Sequence, residues 1–139
     1  VIKTYEKIVS KNNIKLNFHK IDNFKIIGDR DKLIEIFTNL IDNAIKYSEK
    51  NKEVTISSKK EGDLNIVSIA DQGIGIPKEF IHRITERFFT VDPSKSRSVG
   101  GTGLGLAIVK HLVSQHRAEM DINSIENQGT TIDIKFNAL

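Results

Sequence analysis

Cysteine and tryptophan are absent from the 139 residues, methionine occurs once and proline twice. The absence of cysteine excludes disulfides and thiolate metal sites, and it suits a protein of a reducing compartment. No apolar run approaches the roughly eighteen residues that a membrane-spanning helix needs, and no secretory signal is recognisable. The sequence therefore predicts neither membrane contact by this chain nor a secreted, disulfide-stabilised fold.

The charge balance is only mildly basic, with 21 Lys and Arg against 18 Asp and Glu. Lysines are scattered rather than gathered in a stripe, so nucleic-acid binding is not predicted. The length suits one domain with a single core. Because the chain begins with Val1 rather than methionine, we expect a segment of a longer protein. Residues 1–12 are expected to be the end of a linker or first helix, and residues 13–139 to be one domain.

The pattern of apolar residues predicts an α+β fold. Period-two alternation predicts a half-buried strand in IKLNFHKI, and four further strands are predicted in the segments EVTISSKK, LNIVSIAD, EMDINSI and TTIDIKF. Helical periodicity runs from a capping Asp29 to about Ser48, and again from Leu104 to His116. Residues 1–11 and a short stretch near 80–88 are further helical candidates. The predicted architecture is a two-layer sandwich, in which about three helices cover one face of a mixed, mostly antiparallel sheet.

The segment GGTGLGLAIVKHLV, residues 100–113, places four glycines in six residues directly before a predicted helix. Glycine lets a backbone approach a ligand closely, and a helix N-terminus offers unpaired N–H groups, so the segment indicates a phosphate site. It is not a P-loop, because Leu106 and Ala107 follow the last glycine. It is not a dinucleotide fingerprint, because Leu106 occupies the third glycine position and a loop precedes it. A flexible hinge that caps the helix is the alternative.

A polar stripe runs along the first long helix. At about 100° per residue, Glu35, Asn39, Asn43 and Lys46 lie on one side. The opposite arc is expected to face the core and carries Ile34, Phe37, Leu40, Ile41, Ala44 and Ile45. A solvated face is the simpler interpretation, but asparagine is a poor mid-helix residue. Amide oxygens can bind Mg²⁺ and a lysine can reach a phosphate, which favours a functional stripe.

The segment SIADQGIGIPKEF supplies a third candidate. Asp71 ends a predicted strand, and Gly73 and Gly75 follow it at close spacing. A carboxylate beside glycines can accept a hydrogen bond from the exocyclic amine of a purine. An aspartate that only satisfies the backbone of its own turn is the common alternative. Residues 71–102 also read as one long loop, and such a loop in a compact domain is usually functional.

Taken in order, these segments resemble the ATP-binding catalytic domain of sensor histidine kinases. EIFTNLIDNAIKYS resembles the N box, DQGIGIP the first glycine box, ERFFTVD the F box and GGTGLGLAIVKHLV the second glycine box. That family has the Bergerat fold, which it shares with gyrase and the mismatch-repair ATPases. The resemblance covers nearly the whole chain. It implies ATP and Mg²⁺ as cofactors and a long ATP lid over residues 80–102.

The resemblance also implies roles for individual residues. Asn43 is the implied Mg²⁺ ligand, with Asn39 and Lys46 near the phosphates and Tyr47 beside the nucleotide. Arg87, in the lid, is the implied partner of the γ-phosphate, so the catalytic candidates are Asn39, Asn43, Lys46 and Arg87. The adenine pocket is implied to contain Asp71, Gly73, Gly75, Ile76 and Thr130. The phosphates are implied to lie under Gly101, Thr102, Gly103, Leu104, Gly105 and Leu106.

The residue four positions before Asn43 separates a kinase from an ATPase within this resemblance. The gyrase-like enzymes carry a water-activating glutamate there, whereas this chain has Asn39. An amide cannot take a proton from water, so transfer of the γ-phosphoryl group to a histidine is the implied reaction. Glu35, one turn further away, is a weak substitute for such a base.

The chain has four histidines, His19, His82, His111 and His116, and none of them lies in a phosphoacceptor motif. The implied acceptor therefore lies on an upstream, histidine-bearing dimerisation domain, and the implied second partner is the receiver domain of a response regulator. The resemblance further implies a cytoplasmic domain whose parent protein is anchored in the inner membrane.

Three positions depart from the family pattern. Thr85 and Thr90 stand where the F box usually has phenylalanine and often arginine, and Arg117-Ala118 replaces a common glycine pair. These departures leave two alternatives to a sensor kinase. One is a degenerate domain that senses nucleotide or docks a partner. The other is an anti-sigma-factor-type kinase, which has the same fold and acts on a serine of a separate protein.

Overall fold

The computed structural model describes residues 15–21, 26–48, 53–87 and 105–137. The elements, in chain order, are β1 (Lys15–Ile21), α1 (Arg30–Lys46), β2 (Glu53–Glu61), β3 (Leu64–Asp71), a 3₁₀ turn (Lys78–Phe80), α2 (Gly105–Gln115), β4 (Glu119–Ile125) and β5 (Gly129–Asn137). All five predicted strands and both long helices are therefore present. The helix expected over residues 1–11 lies outside the described residues.

The five strands form one mixed sheet in the order β1-β2-β3-β5-β4. Only β1 and β2 are parallel, while β2–β3, β3–β5 and β4–β5 are antiparallel. Gly62, with φ +58°, turns the chain between β2 and β3, where a two-residue loop favours glycine at its first position. The α+β sandwich with a mostly antiparallel sheet is confirmed.

The number of helices is smaller than expected. The described residues contain two α-helices rather than about three, and the stretch near residues 80–88 has only the 3₁₀ turn followed by turns as far as Arg87. None of the helices described here is both long and apolar enough to cross a bilayer.

One apolar core holds both helices against one face of the sheet. Asp29 caps α1 as predicted, since its carboxylate accepts the Lys32 backbone N–H at 3.1 Å. The core contains Ile36, Leu40, Ile41, Ala44 and Ile45 of α1, Leu106, Val109, Leu112 and Val113 of α2, and Val54, Ile69, Ile132, Ile134 and Phe136 of the sheet.

The buried arc of α1 differs from the predicted one at two positions. Ile36 is fully buried although the prediction omitted it, whereas Ile34 is 37% exposed. The reason is that α1 packs against α2 as well as against the sheet, which turns its buried side toward α2. Of the polar stripe of α1, Asn39 therefore lies near the start of α2, while Glu35 is exposed.

Candidate functional site

Asp71 occupies the last position of β3, with its side chain anchored through one oxygen. Oδ1 accepts the backbone N–H groups of Gly73 at 2.9 Å and Thr130 at 3.2 Å. Among the described residues none donates to Oδ2. Burial raises the pKa of Asp71 above its ordinary value, and the two N–H bonds partly offset that rise. The carboxylate is thus fixed in orientation and keeps one oxygen available for a donor.

The glycines after Asp71 are required by close backbone packing. A Cβ on Gly73 would lie 2.2 Å from the carbonyl oxygen of Tyr47, and one on Gly75 would lie 2.2 Å from that of Ile125. Gly75 also has a φ of +69°, which side-chain-bearing residues rarely adopt. The loop is therefore pressed between the end of α1 and the β4–β5 turn. Gly73, Gly75 and Ile76 are all buried there.

The strand ends of the β4–β5 hairpin lie on the side of the glycine loop away from α1. Thr130 is buried, and its hydroxyl lies 2.8 Å from the Ser124 hydroxyl. Ser124 in turn accepts the Ile76 backbone N–H at 2.7 Å. Thr130 was predicted from the sequence, whereas Ser124 was not. A signal was present, because Ser124 continues the inward-facing series of Met120 and Ile122 as a polar residue.

The polar stripe of α1 has three different environments. The Asn39 amide nitrogen donates to the carbonyl oxygen of Glu35 at 2.9 Å, and its Oδ1 accepts no hydrogen bond from a described residue. The Asn43 side chain is half-buried and makes no hydrogen bond to any described residue. Lys46 forms an ion pair with Asp42 at 2.9 Å. Asn39 and Asn43 thus both present an amide oxygen that no described residue engages, while the charge of Lys46 is partly neutralised.

The N-terminus of α2 lies beside this stripe. A Cβ on Gly105 would be 3.6 Å from Asn39 Oδ1, so the first turn of α2 and the middle of α1 are neighbours. The first N–H groups of a helix have no partner within the helix and attract anions. The Leu106 side chain lies in the core, so only its backbone can take part in such a site. Gly101, Thr102, Gly103 and Leu104 lie outside the described residues.

The remaining candidates, Tyr47 and Arg87, make fewer contacts with the other candidate residues. Tyr47 ends α1, and its carbonyl oxygen accepts the Ile74 backbone N–H at 3.3 Å, which joins the stripe to the glycine loop. Arg87 is exposed at the end of a described segment, and Thr90 lies beyond it. The structure therefore brings together the Asp71–Thr130 pair, the Tyr47–Gly73 contact and the Asn39–Gly105 approach. It gives no contact between Arg87 and these groups.

A protein-only metal site is not found in the part of the chain that the structure describes, where no three His, Cys, Asp or Glu side chains cluster. Of the histidines, His82 is exposed, His111 is near Gln115, and His116 joins the Leu112 carbonyl to the Asp29 backbone N–H. These placements are structural or solvent-facing. Any divalent cation here would need oxygen ligands supplied by a bound anion and by water.

Comparison with known proteins identifies this arrangement. Residues 28–138 match the family described as "Histidine kinase-, DNA gyrase B-, and HSP90-like ATPase". Sensor histidine kinase WalK of Bacillus subtilis (strain 168) is 44% identical over 106 residues, which is 75% of this chain and 17% of WalK. Sensor-like histidine kinase SenX3 of Mycolicibacterium smegmatis is 41% identical over 113 residues, 81% of this chain and 29% of SenX3. The chain thus spans less than a third of either relative.

Solved structures agree with the sequence relatives. The mycobacterial sensor histidine kinase MprB superposes with a TM-score of 0.82 at 29% identity, covering 98% of this chain and 90% of the MprB chain. The catalytic domain of histidine kinase ThkA gives a TM-score of 0.82 at 28% identity, covering 97% of this chain and 86% of that one. These similarities confirm the resemblance inferred from the four motifs. The chain therefore belongs to the family of histidine kinase-, DNA gyrase B- and HSP90-like ATPases, and its relatives are sensor histidine kinases.

Proposed function

We propose that this domain binds Mg²⁺-ATP and donates the γ-phosphoryl group to a histidine of a separate dimerisation domain, as the catalytic part of a sensor kinase. The observation that carries the proposal is the anchored Asp71 carboxylate, which has Oδ1 engaged by two backbone N–H groups and Oδ2 available. An adenine amino group is a donor that suits this oxygen. The family and the named relatives support the same assignment.

The base end of the proposed site is built largely from backbone. Gly73 and Gly75 bring the loop close to its neighbours, and Ile76 supplies an apolar surface for a planar ring. The Asp71 carboxylate then distinguishes adenine from guanine, because it accepts hydrogen bonds and cannot donate them. It faces the amino group of adenine favourably, whereas the carbonyl oxygen of guanine at the equivalent position would face a carboxylate. This arrangement favours ATP over GTP.

The phosphate end combines α1 with the start of α2. The N-terminal N–H groups of α2 are suited to phosphate oxygens, and Gly105 keeps the approach to Asn39 open. We propose that Lys46 exchanges its exposed pairing with Asp42 for a phosphate. Gly101, Thr102, Gly103, Leu104 and the backbone of Leu106 complete this end in the proposal, with Arg87 as the γ-phosphate contact.

Mg²⁺ fits the donor set without a carboxylate cluster. The half-buried Asn43 side chain presents an amide oxygen that no described residue engages, and Mg²⁺ usually takes one or two protein oxygens with phosphates and waters. When bound, the cation would neutralise phosphate charge. The protein's own part is to hold Asn43 on a rigid helix, next to the lysine one turn further on.

The residues around Asn39 favour phosphoryl transfer to a protein over hydrolysis. Its amide nitrogen is bonded to the Glu35 carbonyl, and an amide has no basic site that could deprotonate water. Glu35 is itself exposed, one turn toward the start of α1. We propose that the partners are a histidine-bearing dimerisation domain and a response regulator receiver domain, and that the domain works in the cytoplasm.

Calorimetric titration with ATP and with ADP, each with Mg²⁺, tests the proposal. Wild-type chain is expected to bind both nucleotides, and Asn43→Ala and Asp71→Asn are expected to abolish or strongly weaken binding. Matched controls are Asn123→Ala and Asp63→Asn, which alter exposed residues of the same kinds away from the site. A folded wild-type chain that binds neither nucleotide would refute the proposal and point to a degenerate docking domain.

Phosphotransfer is tested separately by mixing the domain with the histidine-bearing hairpin of its parent kinase and radiolabelled ATP. Acid-labile phosphate on the hairpin is the expected result. Nucleotide binding without transfer to a histidine would reduce the proposal to a nucleotide sensor, whereas label on a serine of a separate protein would favour the anti-sigma-factor-type kinase.

A further inference from the structure

The Ser124 hydroxyl lies where three segments of the proposed base pocket meet. It accepts the Ile76 backbone N–H at 2.7 Å and donates to the Gly129 carbonyl oxygen at 3.0 Å. The Thr130 hydroxyl, 2.8 Å away, can then donate to its second lone pair. This arrangement uses the one donor and both acceptors of a serine hydroxyl. Ser124 is therefore fully engaged at a half-buried position.

The glycine loop is attached to the β4–β5 hairpin at two points. Asn127 donates its backbone N–H to the Ile74 carbonyl oxygen at 2.7 Å, and Ile76 donates to Ser124. Between them, Gly75 is packed against the Ile125 carbonyl oxygen. The Asn127 contact is entirely backbone, so it does not depend on the Asn127 side chain. The Ile76 contact depends on a hydroxyl at position 124.

The same hydroxyl also touches the other side of the pocket. Thr130 gives its backbone N–H to Asp71 and places its side chain against Ser124. Ser124 thus links the loop that carries Ile76 to the residue that orients the Asp71 carboxylate. Loss of the hydroxyl would leave the Ile76 N–H, the Gly129 carbonyl and the Thr130 hydroxyl without that partner at once.

We infer that Ser124 is a positioning residue for purine recognition, which fixes the spacing between the Ile76 loop and the Asp71–Thr130 pair. It acts through Ile76 and Thr130 and does not itself touch the nucleotide. The inference rests on the proposed function, because it assigns Ser124 to the same base pocket.

The test compares Ser124→Ala with Ser68→Ala, a matched control on the same sheet. Ser68 is also a half-buried strand serine with a hydrogen-bonded hydroxyl, which it donates to Asp133. Because its neighbours Val67 and Ile69 face the core, Ser68 lies on the sheet face away from the helices. Both substitutions remove a hydroxyl with its hydrogen bonds, three at Ser124 and one at Ser68, but only Ser124→Ala alters the proposed base pocket.

Ser124→Ala is expected to raise the Kd for ATP and for ADP by the same factor, about tenfold, whereas Ser68→Ala stays within about twofold of wild type. Equal factors are expected because the two nucleotides share the base. Ser124→Thr keeps a hydroxyl and is expected to restore most of the affinity. Equal Kd values for the two alanine variants would overturn the inference, whatever their thermal stabilities.

Amide hydrogen exchange gives a second readout that needs no nucleotide. The Ile76 amide is expected to exchange at least about tenfold faster in Ser124→Ala than in wild type or in Ser68→Ala. Unchanged exchange would show that Ser124 does not hold the loop. If wild type bound no ATP, the proposed function would fail on its own titration, and accelerated exchange would still establish the contact to Ile76.

Discussion

Replacing Asp71 by asparagine separates recognition of the base from support of the fold. The asparagine oxygen can keep the two N–H bonds that Oδ1 now accepts from Gly73 and Thr130. The amide nitrogen then replaces Oδ2. It is a hydrogen-bond donor and would face the adenine amino group, which is also a donor, so no hydrogen bond can form. A hydrogen bond to a charged group contributes about 1.5–3 kcal/mol, so ATP affinity is expected to fall roughly ten- to hundredfold. The free energy of unfolding is expected to change by less than about 1 kcal/mol.

Asp71→Ala provides the contrast. It removes the acceptor of both N–H groups, so the free energy of unfolding is expected to fall by about 2 kcal/mol or more, together with the loss of ATP affinity. Calorimetric titration measures the affinities and urea unfolding measures the stabilities. A folded Asp71→Asn variant that binds ATP as tightly as wild type would refute the reasoning, because Oδ2 would then not be the acceptor.

The other predictions concern pH and backbone conformation. Because the pKa of Asp71 is raised above 3.8, the folded protein keeps a proton there at pH values where the unfolded chain has lost it. Stability from this group therefore falls as pH rises through that window, and urea unfolding of Asp71→Asn should lack the fall; identical pH profiles would contradict it. Gly75→Ala should lower the free energy of unfolding by about 2 kcal/mol or more, since its Cβ would meet the Ile125 carbonyl, against about 1 kcal/mol for Gly62→Ala, which has a similar φ and open space. Equal losses in urea unfolding would exclude the contact. Arg117→Gly should stabilise the fold by about 1 kcal/mol, because Arg117 has a φ of +54°, and a lower melting temperature would refute this.

Local sequence signals were sufficient for most of the fold. The alternation in β5, the cap at Asp29 and the turn at Gly62 each depend on a few neighbouring residues. The choice between Ile34 and Ile36 on α1 was different, because it depends on where α2 packs. A helical wheel gives the relative directions of side chains and contains no information about the partner helix.

The same distinction applies to the site. Asp71 and Thr130 could be named from motifs, but their shared N–H bond joins residues 59 positions apart and follows from the pairing of β3 with β5. Ser124 belongs to no motif in the sequence analysis, and only the fold brings its hydroxyl to Ile76. The ion pair of Lys46 with Asp42 could have been predicted from the sequence, because the two residues are at i,i+4 spacing on a helix. It was not predicted, because Lys46 was interpreted only as a phosphate ligand.

The two ends of the proposed site differ in how far they are organised before a nucleotide binds. At the base end, Asp71 is held by two N–H bonds and the glycine loop is packed against backbone on both sides. At the phosphate end, Lys46 must exchange a partly exposed i,i+4 ion pair, and such a pair on a helix contributes only about 0.3–0.5 kcal/mol. The base end of the proposed site is therefore already organised before a nucleotide binds, whereas the phosphate end must first break an ion pair. If Lys46 binds phosphate as proposed, the small cost of releasing it would let the phosphate end change its contacts between ATP and ADP while the base stays bound.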